Sequence, residues 1–482
     1  MTPPLADRSV MGLLIAVALG LGLGRIIGSE YLYEPSVHRP EGSDIPRPKW
    51  ASPKPEGQPT FSSNDRSRWA TIRALVDEGT FVIGRRQTYD DPNTDSGIVF
   101  EAGFQTVDKI LHPQRLEFYS TKPPLLTVLA AGQCWLLKKT LGWRVAEDRW
   151  LVVRSVLITF NLLPFALYLW LLGDLAIRLR AGPWATFFVV LAGAFGGMVW
   201  PFLVTFTNHI PATVATLLVL WCVARIALEE NAPRWLFALA GLSAGFAFAC
   251  ELPALSLLAL AGLYLGLRQP FATLTLYLPL ALLAPLAQTL LDVIQLGQWT
   301  PTYALFGTQW YTYPGSHWLP EGQTKPGIDY ARRNGETRAM YALHLLIGHH
   351  GWFSLMPVWL LSVPGMAVAV VRVRSPQREH STWAQLTIAA LLLSGVVIGF
   401  YLLKSDNYGG WTNGPRWLMW LSPLWLVALL PVVHWLSERR WGVVLACSLL
   451  AGSLMAMNYQ AWNPWRHPWI YNWLEWQGWP GY

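Results

Sequence analysis

The chain has 482 residues, of which 53% are hydrophobic and 13% charged, with a net charge of +7 and a mean hydropathy of +0.30. Soluble domains carry nearer a quarter charged residues, so the composition excludes an ordinary soluble domain and points to a membrane class. The excess of 36 Lys and Arg over 29 Asp and Glu fits topology and contact with anionic lipid; a basic tract with interleaved aromatics, as a nucleic-acid groove needs, is not present.

In chain order, the first apolar run is Val10 to Gly24, ended by Arg25. It lacks a convincing small-residue cleavage site and reads as an uncleaved anchor, residues 1–28, with the N-terminus in the cytoplasm. Residues 29–121 form a long polar external loop, extended through the proline-rich stretch Pro40 to Pro59. Further apolar runs lie near 123–137, 151–173, 183–206, 210–228, 235–250, 253–267, 271–291, 352–371, 383–403, 417–436 and 441–457. Most approach the roughly 20 residues that a bilayer demands. They divide into a membrane bundle over 122–292, a second external loop over 293–351, and C-terminal membrane helices over 352–457.

Arg372, Arg374, Arg378, Arg439 and Arg440 mark cytoplasmic loops. Counting back from them places His209 and Glu251 at the outer side. The count then conflicts with the N-terminal anchor: either 123–137 enters without crossing, or 183–206 splits at Gly193, Gly196 and Gly197. In the tail, 458–482, tryptophans at 462, 465, 469, 473 and 476 make one helical stripe, an interfacial helix. Cys134, Cys222, Cys250 and Cys447 all sit in apolar runs and read as small core residues.

Four polar junctions carry candidate chemistry. In Ser62-Ser63-Asn64-Asp65-Arg66-Ser67-Arg68-Trp69, Ser63 or Asn64 can cap a helix with Asp65 in its first turn. Trp69, Ile72 and Val76 would share one face, as on a membrane surface. In Tyr119-Ser120-Thr121-Lys122-Pro123-Pro124, two prolines open a helix and Lys122 stands at its positive end. Thr207-Asn208-His209-Ile210-Pro211 repeats the pattern, with Thr207 or Asn208 as cap, and so does the loop from Tyr408 to Arg416. Each alone has a plain structural reading: a cap, a snorkelling lysine, an interfacial arginine. Together they share the outer side, and an anion such as a lipid phosphate would relieve Lys122 and Arg416 at two positive helix ends. Asp65 could then act as a base towards a hydroxyl. Glu251 at membrane depth is a further candidate. His344, His349 and His350 suggest a metal, but adjacent His349 and His350 lack a standard ligand spacing.

At these residues the chain resembles the GT-C glycosyltransferases, the membrane superfamily that includes protein O-mannosyltransferases and the aminoarabinose transferase of lipid A. Asn64-Asp65-Arg66-Ser67-Arg68-Trp69 is similar to the acidic motif of the first external loop. Lys122-Pro123-Pro124-Leu125 is similar to the Lys-Pro-Pro-Leu that closes that loop in many bacterial members. Gly414-Pro415-Arg416-Trp417 is similar to a late Gly-x-Arg-aromatic motif. Where many members carry a second acidic residue, this chain has Asn208-His209.

The resemblance implies an all-α polytopic membrane protein, a GT-C-like bundle of about 11–13 transmembrane helices, with surface-lying helices in the first external loop. It implies an inverting glycosyltransferase that moves a sugar from a polyprenyl-phosphate donor to an acceptor hydroxyl on lipid, glycan or protein, in a bacterial inner membrane with the site facing the exterior. Asp65 would be catalytic, and Lys122 and Arg416 would bind the donor phosphate. Arg66, Arg68, Tyr119, Asn208, His209, Glu251, His349 and His350 are candidates for substrate contact or support. A divalent metal ion is the one cofactor candidate. The rival reading is a transporter or flippase of an anionic lipid-linked substrate, which needs the cations but no base.

Overall fold

A computed structural model describes residues 5–31, 56–319, 336–405 and 407–479. The proline-rich stretch from Pro40 through Pro55 lies outside them. The chain opens with α1 (Leu5–Gly28). The polar loop that follows supplies α2 (Ser63–Arg73) and a small antiparallel sheet of β1 (Gly84–Arg85), β2 (Lys109–Leu111) and β3 (Glu117–Ser120), ordered β1-β3-β2. Next come α3 (Pro124–Leu141), α4 (Arg149–Arg178), α5 (Pro183–Phe195), α6 (His209–Leu228) and α7 (Trp235–Cys250). They are followed by α8 (Leu252–Arg268), α9 (Pro270–Leu296), α10 (Arg338–Leu346), α11 (Pro357–Arg372) and α12 (Arg378–Lys404). The chain closes with α13 (Arg416–Ser437), α14 (Arg440–Tyr459) and α15 (Trp469–Trp476).

Seven of these, α1, α4, α6, α9, α12, α13 and α14, are long and apolar enough to cross a membrane, and α5, α7, α8 and α11 are shorter apolar helices. The protein is an integral membrane protein, and these are the apolar helices found among the described residues. Gly241 and Gly245 on α7 let α9 approach closely: a Cβ at either would overlap the carbonyl of Tyr277 or Ala281. That is the small-residue packing by which membrane helices gain contact without a hydrophobic driving force.

The grouping of helix ends settles the crossing conflict. At one end, Arg25 of α1 donates to the carbonyls of Trp200 and Ala461, and Arg154 of α4 donates to that of Ile27. At the other end, Arg178 reaches Glu229 and Arg180 reaches Glu379. The end of α1 and the start of α4 therefore lie at the same end of the bundle, so α3, between them in sequence, does not cross alone. Lys138 near its C-terminus bonds Asp77 of the external loop at 2.6 Å, and Lys122 before its N-terminus pairs with Asp108 of the same loop at 2.9 Å. The 183–206 run does traverse, as α5 and a short helix Val199–Phe202 broken at Gly196 and Gly197.

Several local expectations change. The cap of α2 is Ser62, one residue before the expected pair: its Oγ accepts from Asp65 N at 3.3 Å, and Asp65 Oδ2 reaches back past the cap to accept from Phe61 N at 3.0 Å. The face of Trp69, Ile72 and Val76 is buried within the protein, not laid on lipid. Cys134, Cys222 and Cys250 are buried, but Cys447 is exposed on α14. The tryptophan stripe divides: Trp473 and Trp476 are exposed on α15, whereas Trp465 precedes that helix and is buried.

Candidate functional site

The outer junctions converge on α2. Its first turn places Asp65 at the bottom of the cluster, 1% exposed. The carboxylate accepts from Phe61 N, from Trp69 Nε1 at 2.8 Å and from Phe206 N at 3.3 Å. It therefore ties α2 to the loop that leads into α6. Asn161 of α4 holds the same loop, donating to the carbonyls of Leu203 and Thr205, each at 2.9 Å. Burial pushes Asp65 up to about 6, against the lowering effect of those donors and of Arg68 and Arg66.

One turn on, Arg68 is 1% exposed. It donates to the Asn64 carbonyl at 2.9 Å, to the Asn64 side chain, and to Asn208 Oδ1. Asn208 therefore spends its side chain across elements and leaves α6 without a side-chain cap. Its Nδ2 donates to the Cys250 carbonyl at 2.6 Å and to Glu251 Oε1 at 2.8 Å. Glu251 sits in extended backbone between α7 and α8, and it also bonds His209 Nδ1. Arg416 Nη1 lies 2.9 Å from His209 Nε2. A guanidinium has donors only, so Nε2 is the acceptor and Nδ1–H donates to Glu251. Arg416 is further held by the Gly409 carbonyl at 3.2 Å and lies over the Trp465 ring at 4.9 Å.

Lys122 enters from the sheet side. Ser120 Oγ accepts its backbone N–H at 3.1 Å and bonds Ser67 Oγ of α2 at 2.6 Å. Its ammonium pairs with Asp108, the two side chains being 16% and 13% exposed. Burial pulls Lys122 down to about 8; Asp108 opposes the shift, and the nearby charges of Arg68 and Arg416 add to it. Three cations, Arg68, Lys122 and Arg416, thus gather with three carboxylates, Asp65, Asp108 and Glu251. Around them, Thr121, Thr207 and Asn413 each keep a buried side-chain polar atom with no protein partner among the described residues.

Of the residues singled out in the sequence, Asp65, Arg68, Asn208, His209, Glu251 and Arg416 form this network, and Lys122 joins it through Asp108. Arg66 turns away, donating to the Thr60 carbonyl and lying over the Tyr31 ring. Tyr119 points to the other side of the sheet, where its hydroxyl donates to Glu117 at 2.7 Å and its ring packs with Ile110 and Leu305. His349 and His350 belong to a separate group with His344 and Tyr408. Asp108 escaped notice because Thr106-Val107-Asp108-Lys109 carries no motif. The cluster does not fit a two-acid divalent-metal site. Both Asp65 oxygens already receive N–H groups, and Asn208 stands where a second acid would be needed.

No protein-family model matches the chain, and no curated protein matches its sequence. Among solved structures it is similar to ArnT from Cupriavidus metallidurans bound to undecaprenyl phosphate, at 15% identity and a TM-score of 0.49, over 93% of this chain and 65% of that one. It is also similar to the archaeal oligosaccharyltransferase AglB from Archaeoglobus fulgidus in complex with an inhibitory peptide and a dolichol-phosphate, at 11% identity and 0.47, over 98% and 58%. For ArnT from Cupriavidus metallidurans in the apo state the figures are 14% and 0.36, over 89% and 77%. The chain spans less than two thirds of the length of the first two.

Proposed function

We propose that the protein is a GT-C-type membrane glycosyltransferase that moves a sugar, with inversion, from a polyprenyl-phosphate donor to an acceptor hydroxyl. The reading is carried by the meeting of Lys122, Arg68 and Arg416, drawn from three distant segments, beside carboxylates at one end of the bundle. In the reaction, the bond between the anomeric carbon and the phosphate oxygen breaks, and the acceptor oxygen bonds that carbon from the opposite face. The hydroxyl proton passes to a carboxylate. The departing phosphate gains charge, and cations held in place by protein contacts stabilise it without reorganising. Asp65 is the base in this reading, with a pKa near neutrality as proton acceptance requires.

Exposure favours a second assignment for the base. Asp65 is saturated by N–H donors, whereas Asp108 is the more open acid, and among the described residues its carboxylate bonds the lysine that a phosphate would claim. A donor phosphate on Lys122 would release Asp108 towards the acceptor.

The test is a reconstituted assay with a polyprenyl-phosphate sugar chosen by mass spectrometry of lipids that co-purify. Lys122→Ala should weaken binding of plain polyprenyl phosphate by about ten- to a hundredfold, the worth of one charge-assisted hydrogen bond. Equal affinity in variant and parent removes its phosphate role. Asp65→Asn and Asp108→Asn should differ: the true base loses about 10²–10⁴ in rate per folded protein. Lipid moved across the membrane with its sugar still attached would establish the transporter instead.

A further inference from the structure

Outside the cationic cluster, a second set of titratable side chains packs between the end of the second external loop and the loop before α13. Glu336, His344 and His349 each offer one ligand atom, and these atoms lie within 4.8 Å of one another. His344 is 9% exposed, His349 2% and the adjoining His350 0%. Tyr408 closes one side: its hydroxyl donates to Glu336 Oε2 at 2.5 Å, and its ring centroid lies 5.0 Å from that of His349. Four buried atoms here have no protein partner among the described residues: Glu336 Oε1, His344 Nδ1, His350 Nε2 and His467 Nδ1. One orphaned buried polar atom costs about 1–3 kcal/mol. Four in one cluster are unusual in a native protein and call for a bound group.

We propose that Glu336, His344 and His349 form a binding site for a divalent transition-metal ion of the zinc class. Two imidazole nitrogens and one carboxylate oxygen are a donor set that zinc, cobalt or nickel prefers over magnesium or calcium. Three protein ligands leave the fourth tetrahedral position to water. His349 Nδ1 and His350 Nδ1 lie 2.6 Å apart. With His349 as donor its Nε2 keeps a lone pair for the ion, the arrangement in which a ligating histidine has its other N–H held by a neighbour.

Tetrahedral bonds of about 2.0–2.2 Å set ligand atoms about 3.3 Å apart. Loading therefore draws the three ligands inward and tilts His344 and His349 out of their present stack, 4.0 Å between centroids and 18° between planes. The ion braces Tyr408, whose neighbour Gly409 accepts from Arg416. The second external loop is thereby tied to the loop that leads to the cationic cluster.

The experiment uses the full chain, purified on a tag without histidine. Elemental analysis should find about one zinc-class ion per chain. Co²⁺ added to chelator-stripped protein should give visible ligand-field bands of a mixed nitrogen and oxygen site. His344→Gln and His349→Gln should each weaken Co²⁺ binding at least tenfold, by analogy with lost or misaligned ligands elsewhere. Glu336→Gln, at the half-exposed edge of the site, tests the same ion should a buried histidine variant fail to fold. His434→Gln, on the exposed face of α13 at the far end, should bind as the parent does. Absence of a Co²⁺ spectrum in the parent, or equal Co²⁺ affinity in parent and all three ligand variants, overturns the site. Neither outcome depends on the transferase reading.

Discussion

Burial raises the Asp65 carboxyl from 3.8 to about 6 even though three N–H groups point at it. The folded chain then binds that proton more tightly than the unfolded chain between the two values. Stability is fully present below about pH 4 and declines as pH rises through 6, by roughly 3 kcal/mol at 1.36 kcal/mol per pKa unit. Asp65→Asn should flatten the melting profile across that window. It should also lower stability by about 1–3 kcal/mol throughout, because the amide NH₂ meets an N–H donor where an acceptor was. Thermal melts at several pH values check both effects; a variant whose profile still falls between pH 4 and 6 assigns the slope to another group. Lys122 behaves in the opposite sense for ligand. With its value lowered to about 8, it is charged at neutral pH and loses charge above that value. Affinity for polyprenyl phosphate should fall as pH rises through 8, and Lys122→Arg should extend the plateau upward, since a guanidinium stays protonated. Binding titrations on either side of pH 8 measure it.

Among the elements, α3 is where the sequence and the structure part most usefully. Its apolar run of about 15 residues is too short to decide between entering and crossing. The answer lies in Lys138 holding Asp77 across 61 residues, which hydropathy does not register. Single cysteines replacing Gln105 and Thr140, in a Cys447→Ser background, should therefore react with an impermeant maleimide from the same side. A cysteine replacing Arg374 should react only from the other. Labelling of the 105 and 140 positions from opposite sides would make α3 a crossing helix.

The long spans were legible because apolar runs are a local property. Asp65, Lys122 and Arg416 were legible because each sits at a helix start with its own short pattern. Asp108 was not, because only the pairing of β2 with β3 carries it to Lys122. Nor was the seat of Trp465 under Arg416, which breaks the helical tryptophan pattern. The histidine group defeated spacing rules because its third member, Glu336, comes from before α10.

For the molecule as a whole, charge orients the bundle. The end opposite the cluster carries Arg178, Arg225, Arg268, Arg372 and Arg439 beside short connections. The bias of Lys and Arg towards cytoplasmic loops predicts that end inside. On that prediction the cationic cluster would face outward, where the bias disfavours Lys122 and Arg416. Under the proposed function, a polyprenyl donor would present its phosphate in the outer leaflet, and the acceptor would arrive from the exterior or from that leaflet. In sealed vesicles of defined orientation, transfer should occur only when acceptor is supplied on the side away from the arginine end. Proteolysis of the second external loop should stop it from that side alone. Transfer supported equally by acceptor on the arginine side would overturn that orientation, and with it the outer phosphate proposed for the two cations.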